Sequence, residues 1–301
     1  MRFMKNLYIL VLVLTYFSSP AQNMKTYTYA TKGLDTLKLD VYTPENIKPT
    51  DSLPVVIWMH GGGFSGGGRN GIDEINIVNA ANKNGYIGVS ITYRLLRKGT
   101  KTGFGCNCSK EDKLFTFNQA VIDFLDATNF IYQNSTMLQV NTTKIIAAGS
   151  SSGAETALHA AFMRRFFIPD LTTYKDITFA GVIGFASAFL DIDSLTIDNA
   201  IPIALTHGTE DGAVPYGSAP HQNCQPKKPG YMMLHGSKTI TEKLDTLEAS
   251  YFLNIVKNGT HDAANVHPED LDAIFYFLNK TVLENEVIQT KKYTLPKPTT
   301  Y

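Results

Sequence analysis

The chain has 301 residues, 44% of them hydrophobic and 18% charged, an ordinary globular balance with enough apolar material for one large core. Lysine plus arginine equals aspartate plus glutamate at 27 each, which excludes the basic surplus of a nucleic-acid binder. Three scattered cysteines without a paired histidine spacing make a poor zinc ligand set, so neither a metal nor a cofactor is expected.

The first element expected is a signal peptide over residues 1–21. Arg2 and Lys5 form a positive n-region, and Leu7 to Phe17 is an apolar run broken only by Thr15. Ser18-Ser19-Pro20-Ala21 then offers the small residues that a signal peptidase reads, with cleavage after Ala21. The run is short for a bilayer span, so residues 22–301 are expected as one soluble domain, secreted or periplasmic, with no membrane contact after cleavage. Nothing in the residue pattern specifies an oligomeric state.

Beyond residue 24 apolar strands alternate with amphipathic helices, the signature of a mostly parallel sheet covered on both faces. Tyr27 to Ala30 and Thr36 to Thr43 alternate polar and apolar residues like exposed antiparallel strands. Pro54 to Met59 is a continuous apolar run, as a strand buried on both faces requires. A helix over 73–84 and a strand from Tyr86 to Tyr93 follow. Residues 114–133 read as a long helix with Phe117, Val121, Phe124 and Leu125 on one stripe. Lys144 to Ala148 is a strand and Ser152 to Phe167 a helix. Further strands fit Phe179 to Phe185, Ile201 to Thr206 and Tyr251 to Val256, and helices fit 238–249 and 268–282. The expected architecture is an α/β sheet of about eight strands with helices on both faces, and a loose tail after Thr290.

Two connections, 95–113 and 212–237, exceed the usual length and hold all three cysteines between them. Long loops in such a fold form functional rims. Export permits a disulfide. A bridge between Cys106 and Cys108 would be strained, so Cys224 is paired with Cys106 or Cys108.

Gly149-Ser150-Ser151-Ser152-Gly153 matches G-x-S-x-G, in which small neighbours let a strand turn sharply into a helix and lift the central hydroxyl above the sheet. Gly63-Phe64-Ser65-Gly66-Gly67 matches the same pattern, but it lies in a glycine run that cannot open a good helix. Context therefore selects Ser151 as nucleophile. His60-Gly61-Gly62-Gly63-Phe64 follows the buried strand, and its glycines expose consecutive N–H groups of the kind an oxyanion hole requires. An acid and a base follow in chain order. Asp211 comes a few residues after the strand ending at Thr206, with Glu210, Asp191 and Asp193 as competitors. His261 comes after the strand ending at Val256, with His267 as rival.

With these residues in hand, the chain resembles the α/β-hydrolase superfamily, and within it the carboxylesterases and hormone-sensitive-lipase-like enzymes that carry an HGGGF loop. The resemblance runs from about residue 36 to 282 and includes Tyr93-Arg94-Leu95 and the run from His207 to Pro215. It implies that Gly62, Gly63 and Ser152 donate the oxyanion N–H groups. One departure is visible: those enzymes usually carry Asp-Ser-Ala-Gly at the nucleophile, where this chain has Ser150-Ser151-Ser152-Gly153.

The mechanism expected is two-step acyl transfer on a carboxylic ester, with activity rising with pH as the imidazole of His261 loses its proton. Two other readings share the fold: a peptidase of the prolyl-oligopeptidase kind, and a non-catalytic binding module. Phe64, Phe104, Tyr216 and Met232 are candidate substrate-binding residues, lining an apolar acyl or aryl pocket or forming a satellite core of the long loops. The partner expected is a small-molecule or polysaccharide-linked ester, for instance an acetyl or feruloyl ester.

Overall fold

The computed structural model describes residues 23–297, so the signal peptide expected over residues 1–21 lies outside the described residues. Strands β1 (Asn23–Lys32) and β2 (Asp35–Thr43) form an antiparallel hairpin, and β3 (Leu53–Met59) leads into the glycine loop. Next come α1 (Ile72–Lys83), β4 (Ile87–Ile91), α2 (Lys110–Gln133) and the single turn α3 (Ser135–Leu138). The elements β5 (Val140–Ser150) and α4 (Ser152–Phe162) frame the elbow, followed by the short α5 (Arg164–Phe167), β6 (Gly181–Phe185) and β7 (Ala188–Phe189). The remainder is β8 (Ile203–Gly208), β9 (Ser218–Pro220), β10 (Met233–Gly236), α6 (Ser237–Thr246), β11 (Tyr251–Val256), α7 (Pro268–Leu278) and β12 (Gln289–Thr294).

Among the described residues nine strands make one sheet in the order β1-β2-β4-β3-β5-β6-β8-β11-β12. Pairing is antiparallel from β1 through β4 and parallel from β4 onward. The period-two alternation of a strand explains why β3 is apolar throughout. Val55, Ile57 and Met59 pack with Phe117, Val121 and Phe124 of α2 and Leu158 of α4. Val56 and Trp58 face Ile77 and Val78 of α1 and Ile274 of α7 on the other side. Helices therefore seal both faces, and the parallel strands all deliver their C-terminal ends to one edge, where such sheets hold their sites.

Several boundaries differ from the sequence reading, among them the helix expected over 152–167, which splits at Met163 into α4 and α5; three of the differences have a plain physical reason. Helix α2 starts at Lys110 rather than 114, because Ser109 Oγ accepts the Asp112 N–H at 3.0 Å and Glu111 and Asp112 suit the positive helix start. The 212–237 connection contains β9 and β10, which join β7 in a small three-stranded sheet. The segment after Thr290 is not loose: Gln289–Thr294 pairs in parallel with β11 as the ninth strand. Its exposed, lysine-bearing sequence lacks a buried face, which hides an edge strand from a search for apolar alternation.

Candidate active site

The β5–α4 elbow is built by close approach. A Cβ on Gly153 would stand 2.0 Å from the Met59 carbonyl oxygen, and one on Gly149 would stand 2.5 Å from the Gly153 carbonyl carbon. Between them Ser151 adopts φ 49° and ψ −123°, a left-handed backbone that costs a non-glycine residue about 1–3 kcal/mol. Its N–H donates to the Phe185 carbonyl at 2.8 Å, which ties the turn to β6. Ser65, at the rival G-x-S-x-G, donates its hydroxyl to the Gly63 carbonyl within the glycine loop.

The structure brings the three residues expected for a triad together. Ser151 Oγ lies 2.9 Å from His261 Nε2, and His261 Nδ1 lies 2.8 Å from Asp211 Oδ2. A carboxylate only accepts, so Nδ1 carries the proton and Nε2 is left to accept from the serine hydroxyl. Asp211 Oδ1 accepts the N–H groups of Ala213 at 2.8 Å and Val214 at 2.9 Å. Burial pulls the Asp211 carboxyl upward, but hydrogen bonds and charge from His207 and His261 outweigh it and hold the group well below the usual carboxylate range. Beneath it, buried His207 donates from Nε2 to the Val214 carbonyl and pairs through Nδ1 with Ser237 Oγ. Of the rivals, Glu210 is exposed, Asp191 turns back to cap its own loop, and His267 precedes the first turn of α7.

The glycine loop sits against this elbow. Tyr93 donates its hydroxyl to the carbonyls of His60 and Gly61 at 3.1 and 3.3 Å, and Arg94 anchors the end of β4 by bonding Asp123 of α2. The N–H groups of Gly62 and Ser152 donate to nothing among the described residues. Gly63 differs from the expectation: its N–H donates to Ser152 Oγ at 3.1 Å. The cause is the hydroxyl that this chain carries at 152, where the resembling enzymes have a methyl group.

These groups open into a cleft of roughly 620 Å³ lined by Gly61 to Gly63, Ser151, Glu155, Phe104, His221 and His261. Of the four candidate substrate-binding residues only Phe104 lines it. Phe64 is fully buried against Phe104 and Phe117, Met232 is core, and Tyr216 packs on His207. Phe104 and Met232 belong to the main core, with Tyr216 packed against it, so these loops form no separate satellite cluster. Cys106 and Cys224 form the disulfide that joins the two loops, and Cys108 is a buried thiol.

The sequence reading missed a second polar group in the cleft. Buried Lys113 donates from Nζ to His221 Nδ1 at 3.2 Å and to the Gly230 carbonyl at 2.9 Å. That leaves His221 Nε2 as the protonated nitrogen, 3.5 Å from Glu155 Oε1. Burial, with the charges of Lys113 and His261, pushes His221 down to about 3 and keeps it neutral. Burial pushes the Glu155 carboxyl up to about 8, against the opposing charge of Lys113. A signal for these residues exists in hindsight. Lys113 stands four residues before Phe117 on the apolar stripe of α2, and Glu155 stands one turn beyond Ser151 among Ala154, Ala157 and Leu158.

Comparison with known proteins gives this geometry a family. The family model BD-FAE matches residues 39–194, just over half of the chain. The chain belongs to the BD-FAE family. This BD-FAE member is also similar to curated hydrolases: 28% identity over 138 residues with a medium-chain fatty acyl-CoA hydrolase precursor of Anas platyrhynchos, and 29% over 223 residues with carboxylesterase 1D of Rattus norvegicus. Those matches cover 46% and 74% of this chain but 23% and 34% of the relatives, so the chain spans about a quarter to a third of their length. Among solved structures, the apo form of Thermogutta terrifontis esterase 2 superposes with a TM-score of 0.62 at 17% identity, covering 90% of this chain and 97% of that one. The fold is that of the α/β-hydrolases.

Proposed function

We propose that the protein is an exported serine hydrolase that cleaves carboxylic esters through an acyl-enzyme. The observation that carries the reading is the continuous chain from Ser151 Oγ through His261 to Asp211, at 2.9 and 2.8 Å, mounted on a left-handed elbow. His261 Nε2 accepts the serine proton as Oγ attacks the ester carbonyl, and Asp211 steadies the imidazolium that results. The open N–H groups of Gly62 and Ser152 receive the oxyanion, aided by the positive start of α4. The imidazolium returns its proton to the departing alcohol, and water then releases the acid by the same route. Esterase and lipase relatives, among them the 30%-identical secreted lipase 5 of Gibberella zeae, support both the chemistry and the export implied by residues 1–21.

Hydrolysis of p-nitrophenyl acetate, butyrate and decanoate by the purified protein and by Ser151→Ala tests this. Turnover that falls by about 10⁴-fold or more in the variant, with short chains preferred, is the expected result. Equal activity in both proteins removes Ser151 as nucleophile, and a silent wild type turns attention to peptide substrates.

A further inference from the structure

A buried carboxyl oxygen needs a donor. Nearly all buried polar atoms find one, and an exception asks for an explanation in what normally comes to it. Glu155 is 1% exposed, it lines the cleft that holds Ser151, and its Oε1 has no hydrogen-bond partner among the described residues. The neutral His221 ring presents Nε2 at 3.5 Å, beyond good hydrogen-bonding distance. The position is nevertheless held firmly. Glu155 N–H bonds the Ser151 carbonyl at 2.9 Å in the first turn of α4, so the backbone at 155 is fixed one turn from the nucleophile. His221 is fixed from behind by Lys113 and from the side by the ring of Phe104, 5.4 Å away centroid to centroid, and the disulfide at Cys224 pins its segment to the opposite loop. Phe104 itself lines the cleft and is held by Phe64 and Phe117. An acceptor and a flat apolar face therefore meet in one wall of the cleft, one helical turn from the reacting hydroxyl.

We propose that Glu155, with His221 and Phe104, forms a hydroxyl-recognition subsite, and that the preferred substrates are esters carrying a free hydroxyl near the scissile carbonyl. The inference rests on the esterase reading of Ser151 and adds its substrate class. The substrate hydroxyl donates to Glu155 Oε1 and accepts from His221 Nε2–H, while the carbon skeleton lies on Phe104. A substrate with a methyl group in that place strands both polar atoms. Leaving buried polar groups unpaired weakens transition-state binding, so the hydroxylated ester is favoured by roughly 10- to 100-fold in kcat/KM.

The test uses pairs of esters that differ by hydroxyl against methyl. Methyl 3-hydroxybutanoate against methyl 3-methylbutanoate places the group on the acyl side, and 2-hydroxyethyl butanoate against propyl butanoate places it on the alcohol side. Methyl 3-(hydroxyphenyl)propanoates against their tolyl counterparts extend the acyl reach. The wild type is expected to prefer the hydroxylated member of at least one pair by tenfold or more. In Glu155→Leu, and in Lys113→Met/Glu155→Leu in case the lone lysine prevents folding, the ratio for that pair is expected to fall to near one. Labelling of Ser151 by a fluorophosphonate separates the two claims. A labelled, active wild type with ratios near one in every pair overturns the subsite alone. Absence of both labelling and hydrolysis overturns the esterase reading with it. A preference that survives in both variants removes Glu155 from the role.

Discussion

Two buried carboxyls, one lining the cleft and one behind His261, behave oppositely. Asp211 takes two backbone N–H groups on one oxygen and His261 on the other, and these bonds pull its proton affinity down despite burial. Glu155 has an oxygen with no bond and a distant lysine for charge, and burial pushes it up to about 8. The difference lies in the supply of donors rather than in depth, since both sit in the protein interior. A carboxyl whose bonds are complete can serve a mechanism that must not change between turnovers. One with a bond missing is arranged for something that comes and goes.

Breaking the complete member should have the largest effect. Asp211→Asn keeps the shape but offers an N–H toward His261, favouring the tautomer that cannot accept the serine proton. Its kcat should fall by about 10³- to 10⁴-fold with KM little changed, as steady-state kinetics on p-nitrophenyl butyrate will read. Stability should separate the pair next. The folded Glu155 keeps its proton to about 8, whereas an unfolded glutamate loses it near its ordinary 4.5. Between those values the unfolded chain gains by ionising and the folded one does not, so this group lowers stability as pH rises through the window and adds no slope above it. Lys113, His221 and Asp211 are the charged and titratable groups that act on it. Asp211 runs the other way: the stability it adds is present above the ordinary aspartate value and is lost only in more acidic solution. Melting temperatures from about pH 5 to about pH 8 should fall by several degrees in the wild type and less in Glu155→Gln, and parallel curves would refute the assignment. The smallest effect sharpens the oxyanion loop beside Ser151. Ser152→Ala releases the Gly63 N–H from the hydroxyl that occupies it, and kcat should rise by about two- to tenfold.

Much of this was legible in the residues because it is encoded locally. A strand apolar on both faces, a helix with a 3.6-residue stripe and a glycine pair flanking a serine each carry their reason within a few positions. Asp211 and His261 were legible because fold order places them after consecutive strands of the parallel sheet, β8 and β11. Strand β12 was hidden because an edge strand buries little and needs no apolar face. The Glu155 cluster was hidden because it assembles from α4, α2 and the 212–237 connection, and no spacing rule links positions 155, 113 and 221. Phe64 misled in the opposite sense: its place beside the glycine loop suggested the cleft, yet its left-handed backbone turns the ring into the core.

Strand β12 has a bearing on solubility. It covers β11, whose sequence Tyr-Phe-Leu-Asn-Ile-Val is apolar, β-prone and free of charge and proline, the composition that nucleates cross-β stacking when an edge is bare. Lys291 and Lys292 on β12 act as gatekeepers, since two charges on an outer strand discourage another chain from adding to it. Trimming the chain at Ile288 would uncover β11, and the strand that leads to His261 would become the place where molecules join into fibres.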